Sequence, residues 1–358
     1  MIGTLNSIGI HFIVGLEGPT LGATEKRALK ELSPLGIIIF KHNIDSASRN
    51  WVERLNDLMK RAQELADREH FVCSIDHEGG KVNRLPEPFT HFPAPAVWAS
   101  HATEVGTVMG VELAAVGFNL NYAPLLDVRT EPKNTIIQDR AFSKIPEEVA
   151  APAKKFLLAM RKYGVEGCAK HFPGHGRTVE DSHLELPALR CSKEELAQCE
   201  LKPYEQLLDE LQLIMTAHVC YTALDPQNPA TTSKAIVNEL LRGSLGYTQA
   251  VISDALEMSA LANYSTEEAT IRTLEAGVDL LLLGQLKKEA PIVAALRCAE
   301  ALHQQAEKND NFASQLDKST QRIEAFSSCF VGPLQRSLDE KCIGTKEHQE
   351  LNKKLRND

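Results

Sequence analysis

Apolar residues along this chain gather into short runs that open or close at polar or glycine-bearing turns, and such runs occur eight times. They are IHFIVGLEG (10–18), GIIIFKHN (36–43), FVCSIDHEGG (71–80), FNLNYAPLLDV (118–128), VEGCAKHFPG (165–174), LQLIMTAHVCY (211–221), QAVISDALEM (249–258) and VDLLLLGQ (278–285). Brief runs of this kind, rich in β-branched residues and leucine, predict strands buried on both faces. Between them the apolar positions recur with helical spacing, over 24–32, 47–69, 104–117, 146–164, 192–211 and 266–277. Strand and helix alternate throughout, which calls for a parallel sheet with crossover helices.

Eight such units over about 250 to 300 residues suit an α/β fold closed as a single (β/α)8 TIM-type barrel. The competing architecture, an open doubly wound sheet carrying a dinucleotide, wants a G-x-G-x-x-G turn at an early strand-to-helix junction, and none is present. Residues 287–310 read as the last barrel helix and 314–330 as an extra C-terminal helix. The barrel domain is thus expected over 1–331, followed by a charged tail at 332–358 that is solvated and frayed.

Composition narrows the partners. The 358 residues are 43% hydrophobic and 24% charged, ordinary for a globular chain, with a formal charge of −9 and no basic stripe to displace counterions from nucleic acid. The apolar N-terminal run lacks a basic start and is broken by His11, Gly15, Glu17 and Gly18, so it reads as a core strand and not as a signal peptide. VDLLLLG falls far short of the roughly 20 residues that span a bilayer. Eight cysteines without a C-x-x-C pair, three of them (Cys73, Cys168, Cys220) inside apolar runs, fit reduced core thiols. A soluble cytoplasmic monomer that binds neither nucleic acid nor membrane is expected.

In a barrel the working groups stand at the carboxyl ends of the strands. Asp76 and Glu78 follow the third run, with Arg84 close behind; Asp127 ends the fourth, with Arg140 in the loop beyond; Lys170 and His171 end the fifth. His218 ends the sixth and Asp254 the seventh. Any one of these could cap a helix or hold a loop. Together they would face one mouth, where buried charge is costly unless used.

The densest chemistry is KHFPGHGRTVEDSH (170–183). His171 and His175 are four apart, but Pro173 and Gly174 rule out the helix that would make them a metal pair, which weakens a metallohydrolase built on His171, His175 and Asp181. Asp181 lies two residues from His183, close enough to set its tautomer and basicity as a general acid/base. Gly174 and Gly176 predict that the loop bearing His183 moves. The Asp76–Arg84 and Lys170–His171 sets suit a polyol, whose hydroxyls both give and accept hydrogen bonds.

Taken together, KHFPGHG with DSH and LP (170–187), IDHEGGKVNR (75–84), NYAPLLDV (121–128), DRAF (139–142), IMTAHVCYTALDP (214–226), LLRGSLGY (240–247) and VISDALEM (251–258) resemble glycoside hydrolase family 3. Within it they are similar to the NagZ-type β-N-acetylglucosaminidases of bacterial cell-wall recycling, over about residues 8–300. The resemblance implies a (β/α)8 barrel and a retaining mechanism that needs no metal or cofactor. It puts Asp254 as nucleophile and His183, in a dyad with Asp181, as acid/base. Asp76, Arg84, Arg140, Lys170 and His171 match sugar-binding positions, with His218 and Met258 lining the same mouth. The implied substrate is a GlcNAc-1,6-anhydro-MurNAc disaccharide, with or without peptide. Many relatives carry S-D-D at the nucleophile where Ala255 follows Asp254 here. A histidine acid/base would not repel phosphate, so phosphorolysis on the same scaffold is a competing activity, and sugar binding without turnover is the non-enzymatic one.

Overall fold

A computed structural model describes residues 5–178, 186–286 and 289–357. Eleven strands form among them: β1 (Phe12–Gly15), β2 (Gly36–Ile39), β3 (Val72–Ile75), β4 (Leu120–Asn121), β5 (Glu166–Gly167), β6 (Ala169–Phe172), β7 (Ala188–Leu189), β8 (Leu213–Thr216), β9 (Cys220–Tyr221), β10 (Ala250–Ser253) and β11 (Leu281–Leu283). Each of the eight apolar runs contains at least one of them. Helices Ala23–Leu32, Trp51–Ala66, Ala102–Val116, Ala150–Arg161, Thr266–Ala276 and Pro291–Lys308 connect or follow the strands as the spacing predicts.

Among the described residues the strands pair with one another in parallel, as a six-stranded sheet in the order β11-β1-β2-β3-β4-β5, a three-stranded sheet β10-β8-β6, and the short pair β7-β9. The fold is therefore α/β with a central parallel sheet. The single continuous eight-stranded ring expected from the sequence is instead divided. Cys168 interrupts the fifth run between β5 and β6, and isolated parallel bridges, Leu125 to Lys170 and Ile252 to Leu280, stand where the two sheets adjoin.

Alternation along the strands explains why the runs are apolar throughout. Val14, Ile37, Ile39, Cys73, Ile214, Val251 and Leu281 pack in one cluster with the surrounding helices. Their neighbours Ile13, Ile38, Val72, Leu120, Leu213, Met215, Ile252 and Leu282 meet in a second cluster drawn from both sheets. Successive side chains point to opposite faces and both faces are dry. Ile323, Phe326 and Phe330, from and just after helix Asp310–Ser327, pack into the second cluster. That helix is further tied to the sheets through buried Asp279, which receives Arg322 at 2.7 Å and Arg242 at 2.6 Å. All eight cysteines are free, and Cys73, Cys168 and Cys220 are buried. Among the described residues no helix is long and apolar enough to cross a membrane.

Three local expectations change. The helix expected over 192–211 breaks into Lys193–Gln198 and Lys202–Leu207, because Glu200 turns inward to pair with Arg177 and Pro203 starts the second piece. A helix at Ala235–Ser244 was not foreseen. The tail that reads as frayed forms a docked helix, Lys346–Asn357, with Leu355 1% exposed. Buried Glu112 holds the approach to that helix, accepting from Thr90 N at 2.8 Å, Thr90 Oγ1 at 2.7 Å, Gly344 N at 2.9 Å and His348 Nδ1 at 2.8 Å.

Glu112→Ala strands these donors and should cost about 2–3 kcal/mol of stability. It should also speed tryptic cleavage at Lys353 and Lys354. Denaturant unfolding and timed proteolysis test this, and a frayed tail would be cut equally fast in both proteins.

Candidate functional site

The carboxyl ends of the strands open into a cavity of about 710 Å³. Its wall includes Asp76, Glu78 and Arg84 after β3, Arg140 in the loop after β4, Lys170 and His171 in β6, and Asp254, Glu257 and Met258 after β10. Six of the seven expected sugar-binding residues, together with the expected nucleophile, thus share one wall.

Charge is packed densely there. Lys170 Nζ lies 2.8 Å from Asp76 Oδ1 and 2.7 Å from Glu78 Oε1. Arg140 closes on Glu78 through two parallel bonds, Nε to Oε2 and Nη2 to Oε1, each 2.8 Å. Such a fork fixes orientation as well as charge. Arg84 Nη2 stands 3.7 Å from Asp76 Oδ2. Glu78 is 1% exposed and Lys170 2%. Burial would raise the Glu78 carboxyl, but Arg140 and Lys170 hold it below its ordinary value; burial would lower Lys170, but Asp76 and Glu78 hold it above.

Asp127, fully buried at the end of the fourth run, organises the next loop. Its Oδ2 accepts from His171 Nδ1 at 2.8 Å, and its Oδ1 accepts the backbone N–H groups of His175 at 2.6 Å and His171 at 3.3 Å. Burial pushes this carboxyl up, yet His171, then His175, bring it below its ordinary value. His175 is lowered to about 4, by burial first and then by the neighbouring His171. Tyr221 Oη donates to Gly174 O at 2.6 Å and Asn134 Nδ2 to His175 O at 2.9 Å, so residues 171–178 are firmly held. The two glycines expected as hinges serve close approach: a Cβ at Gly176 would fall 1.8 Å from Val128 O, and one at Gly174, where φ is +144°, 2.8 Å from the Glu200 side chain. Asp181 and His183 lie outside the described residues, as does the movement expected of that segment.

Asp254 follows β10 directly, and its Oδ1 accepts the N–H of Ala255 at 2.8 Å. Burial raises its carboxyl; His218, His171 and Lys170 outweigh that and leave it below its ordinary value. His218 is buried beside Asp254 and lowers its carboxyl. Its Nδ1 is 2.7 Å from Thr231 Oγ1 and its Nε2 2.9 Å from Ala255 O, so it braces the turn that presents Asp254. Among the described residues, no three His, Cys, Asp or Glu side chains gather as metal ligands.

Sequence reasoning noted Glu78 and Asp127 at strand ends without giving them a role, and it passed over Glu257 and His42 entirely. A buried acid between two cations leaves no spacing signature. The signal available for Glu78 was its place two residues beyond Asp76, on the same strand end.

Residues 2–326 match the family model for the glycosyl hydrolase family 3 N-terminal domain. A β-hexosaminidase of Alkalilimnicola ehrlichii is 38% identical over 296 residues, which cover 78% of this chain and 82% of that protein. One from Methylococcus capsulatus is 37% identical over 278 residues, covering 75% of this chain and 80% of its own. Among solved structures, a glycoside hydrolase family 3 β-N-acetylglucosaminidase from Paenibacillus sp. is similar with a TM-score of 0.88 at 30% identity, covering 99% of this chain and 68% of that one.

Because Asp127 and Glu78 sit below their ordinary values, each contributes stability that is present above the ordinary carboxylate pKa of about 4 and is lost as pH falls toward the folded value. Asp127→Asn should therefore cost about 2 kcal/mol at pH 7. The gap to wild type should narrow below about pH 4, as measured by denaturant unfolding at several pH values. A gap that does not vary with pH would contradict the charge argument.

Proposed function

The chain belongs to glycosyl hydrolase family 3 and is a glycosidase, and from that membership we propose that it is a retaining, exo-acting β-N-acetylglucosaminidase. The observation that carries this reading is the convergence of an ionised, backbone-anchored Asp254 with Asp76, Arg84, Arg140, Lys170, His171 and Met258 in one cavity. The same reading takes the two bridges between the sheets as the seams of a closed (β/α)8 barrel over residues 1–331.

In the first step an Asp254 oxygen attacks the anomeric carbon of the terminal sugar. The glycosidic bond breaks as His183 gives its proton to the departing oxygen. In the second, water attacks the same carbon, His183 takes its proton, and the bond to Asp254 breaks. Asp181 orients His183. The low Asp254 pKa keeps the nucleophile charged, while Lys170 and the cations around it hold sugar hydroxyls. Two inversions at one carbon return the β-anomer. The motif set supports a cell-wall fragment, GlcNAc-1,6-anhydro-MurNAc with or without peptide, as the natural substrate in cytoplasmic recycling.

Wild type should release the aryl alcohol from an aryl β-N-acetylglucosaminide in phosphate-free buffer, with β-N-acetylglucosamine as the first sugar seen by NMR. Asp254→Ala should lose about 10⁴-fold or more. Turnover that requires phosphate and yields the sugar 1-phosphate would favour phosphorolysis.

The pH profile supplies a second check. Since Asp254 lies below its ordinary value of 3.8, the acid limb of kcat/KM should fall below pH 3.8. A limb centred between about pH 5 and 6 would assign the essential base to another group.

A further inference from the structure

One carboxylate in the cavity wall has no task in that scheme. Glu257 stands three residues after Asp254, and its Oε1 accepts the backbone N–H of Gly284 at 2.9 Å and that of Gln285. Its Oε2 is buried and has no hydrogen-bond partner among the described residues. The packing behind it is tight: a Cβ on Gly284 would lie 2.9 Å from Glu257 Oε1 and 3.0 Å from Phe40 Cζ. The carboxylate is thus held in one orientation with an oxygen left over. An unsatisfied buried acceptor is expensive, and a ligand donor would complete it.

Its place in the sheet order says which part of a ligand that is. Of the residues taken to hold the terminal sugar, Asp76, Arg84 and Arg140 follow β3 and β4 and Lys170 and His171 lie in β6, while Met258 follows β10. Glu257 follows β10 and grips the end of β11, while Phe40 and His42 follow β2 and Gln285 follows β11. Asp254 follows β10 as Glu257 does, and the charges of Lys170 and His171 in β6 reach it. A sugar whose anomeric carbon meets Asp254, with its hydroxyls on Lys170 and Asp76, directs its remaining substituent toward Glu257.

That side continues into a second depression of about 410 Å³, which shares His42 and Gln285 with the first and adds Leu16, Glu17 and Gly284. The His42 ring is fixed by Leu16 O at 2.8 Å and Gln285 Nε2 at 3.2 Å, and stacks on Phe40 with centroids 5.8 Å apart and planes 12° from parallel. A flat ring pair offers an apolar surface to the C–H face of a sugar.

We propose that Glu257, Gln285 and the His42–Phe40 stack form the leaving-group subsite, and that they take a second sugar ring, one hydroxyl of which donates to Glu257 Oε2. The inference rests on the glycosidase reading above and names the substrate class on its far side. Burial raises the Glu257 carboxyl above its ordinary value against the N–H groups of Gln285 and Gly284, as expected of an acid whose solvation has not been replaced in full.

The test compares kcat/KM on the β-1,4-linked N-acetylglucosamine disaccharide with that on an aryl β-N-acetylglucosaminide, whose leaving group carries no hydroxyls. Glu257→Gln keeps an oxygen for Gly284 and Gln285 but replaces a charge-assisted bond by a neutral one, so the disaccharide-to-aryl ratio should fall about tenfold. His42→Ala, which leaves those anchors alone, should lower the same ratio by removing the stacking surface. Melting curves identify any variant that fails to fold. Equal losses on both substrates, or an unchanged ratio in both variants, overturn the subsite and leave the glycosidase reading standing. Wild type that turns over neither substrate overturns that reading and this one with it.

Discussion

The site depends on a buried ion cluster that must be complete to exist at all. Lys170 is shared by Asp76 and Glu78, and Glu78, itself buried, is shared by Lys170 and Arg140, so the carboxylates and cations of the cavity wall hold one another in place. A lone charge at such a depth would be untenable, and removing one partner of a buried pair costs about 3–5 kcal/mol. The cluster also has a mechanical consequence. Lys170 belongs to β6, Glu78 follows β3, and Arg140 comes from the loop after β4, so two connections that could wander are pinned to each other and to a strand.

Around that cluster each element is placed by a polar group that an apolar strand end could not supply alone. Asp127 gathers the amides and the ring of the β6 loop, His218 braces Ala255, and the amide of Ala255 holds Asp254. The fields then divide the acids by task. Asp254 lies near His218, His171 and Lys170 and stays charged. Glu257, three residues on, is pushed the other way by burial, which the backbone N–H groups that hold it do not offset. Two carboxyls on one turn thereby acquire opposite tendencies from their neighbours alone.

Much of this was legible in the chain. The eight apolar runs contain every described strand but β7, because strands buried on both faces favour apolar residues on both, and the reactive residues stood toward their carboxyl ends. What the pattern could not carry is contact over distance. The break at Glu200 depends on Arg177, and the docking of the C-terminal helix depends on Glu112, 232 residues before Gly344. In the same way, Glu257 in DALEM looks like any solvated acid until Gly284 and Gln285 are brought against it. His218 shows the converse: a histidine expected to face the sugar holds Thr231 and the backbone of Ala255, next to Asp254.

The central claim is that Asp254 becomes covalently bonded to the sugar. It is tested most directly by incubating the protein with a 5-fluoro N-acetylglucosaminyl fluoride, which slows hydrolysis of the intermediate, followed by intact-mass measurement and peptide mapping. The account predicts a mass increase of one glycosyl unit, located on the peptide carrying Asp254. A fully active protein that forms no adduct, or one whose adduct maps to another residue, would contradict it.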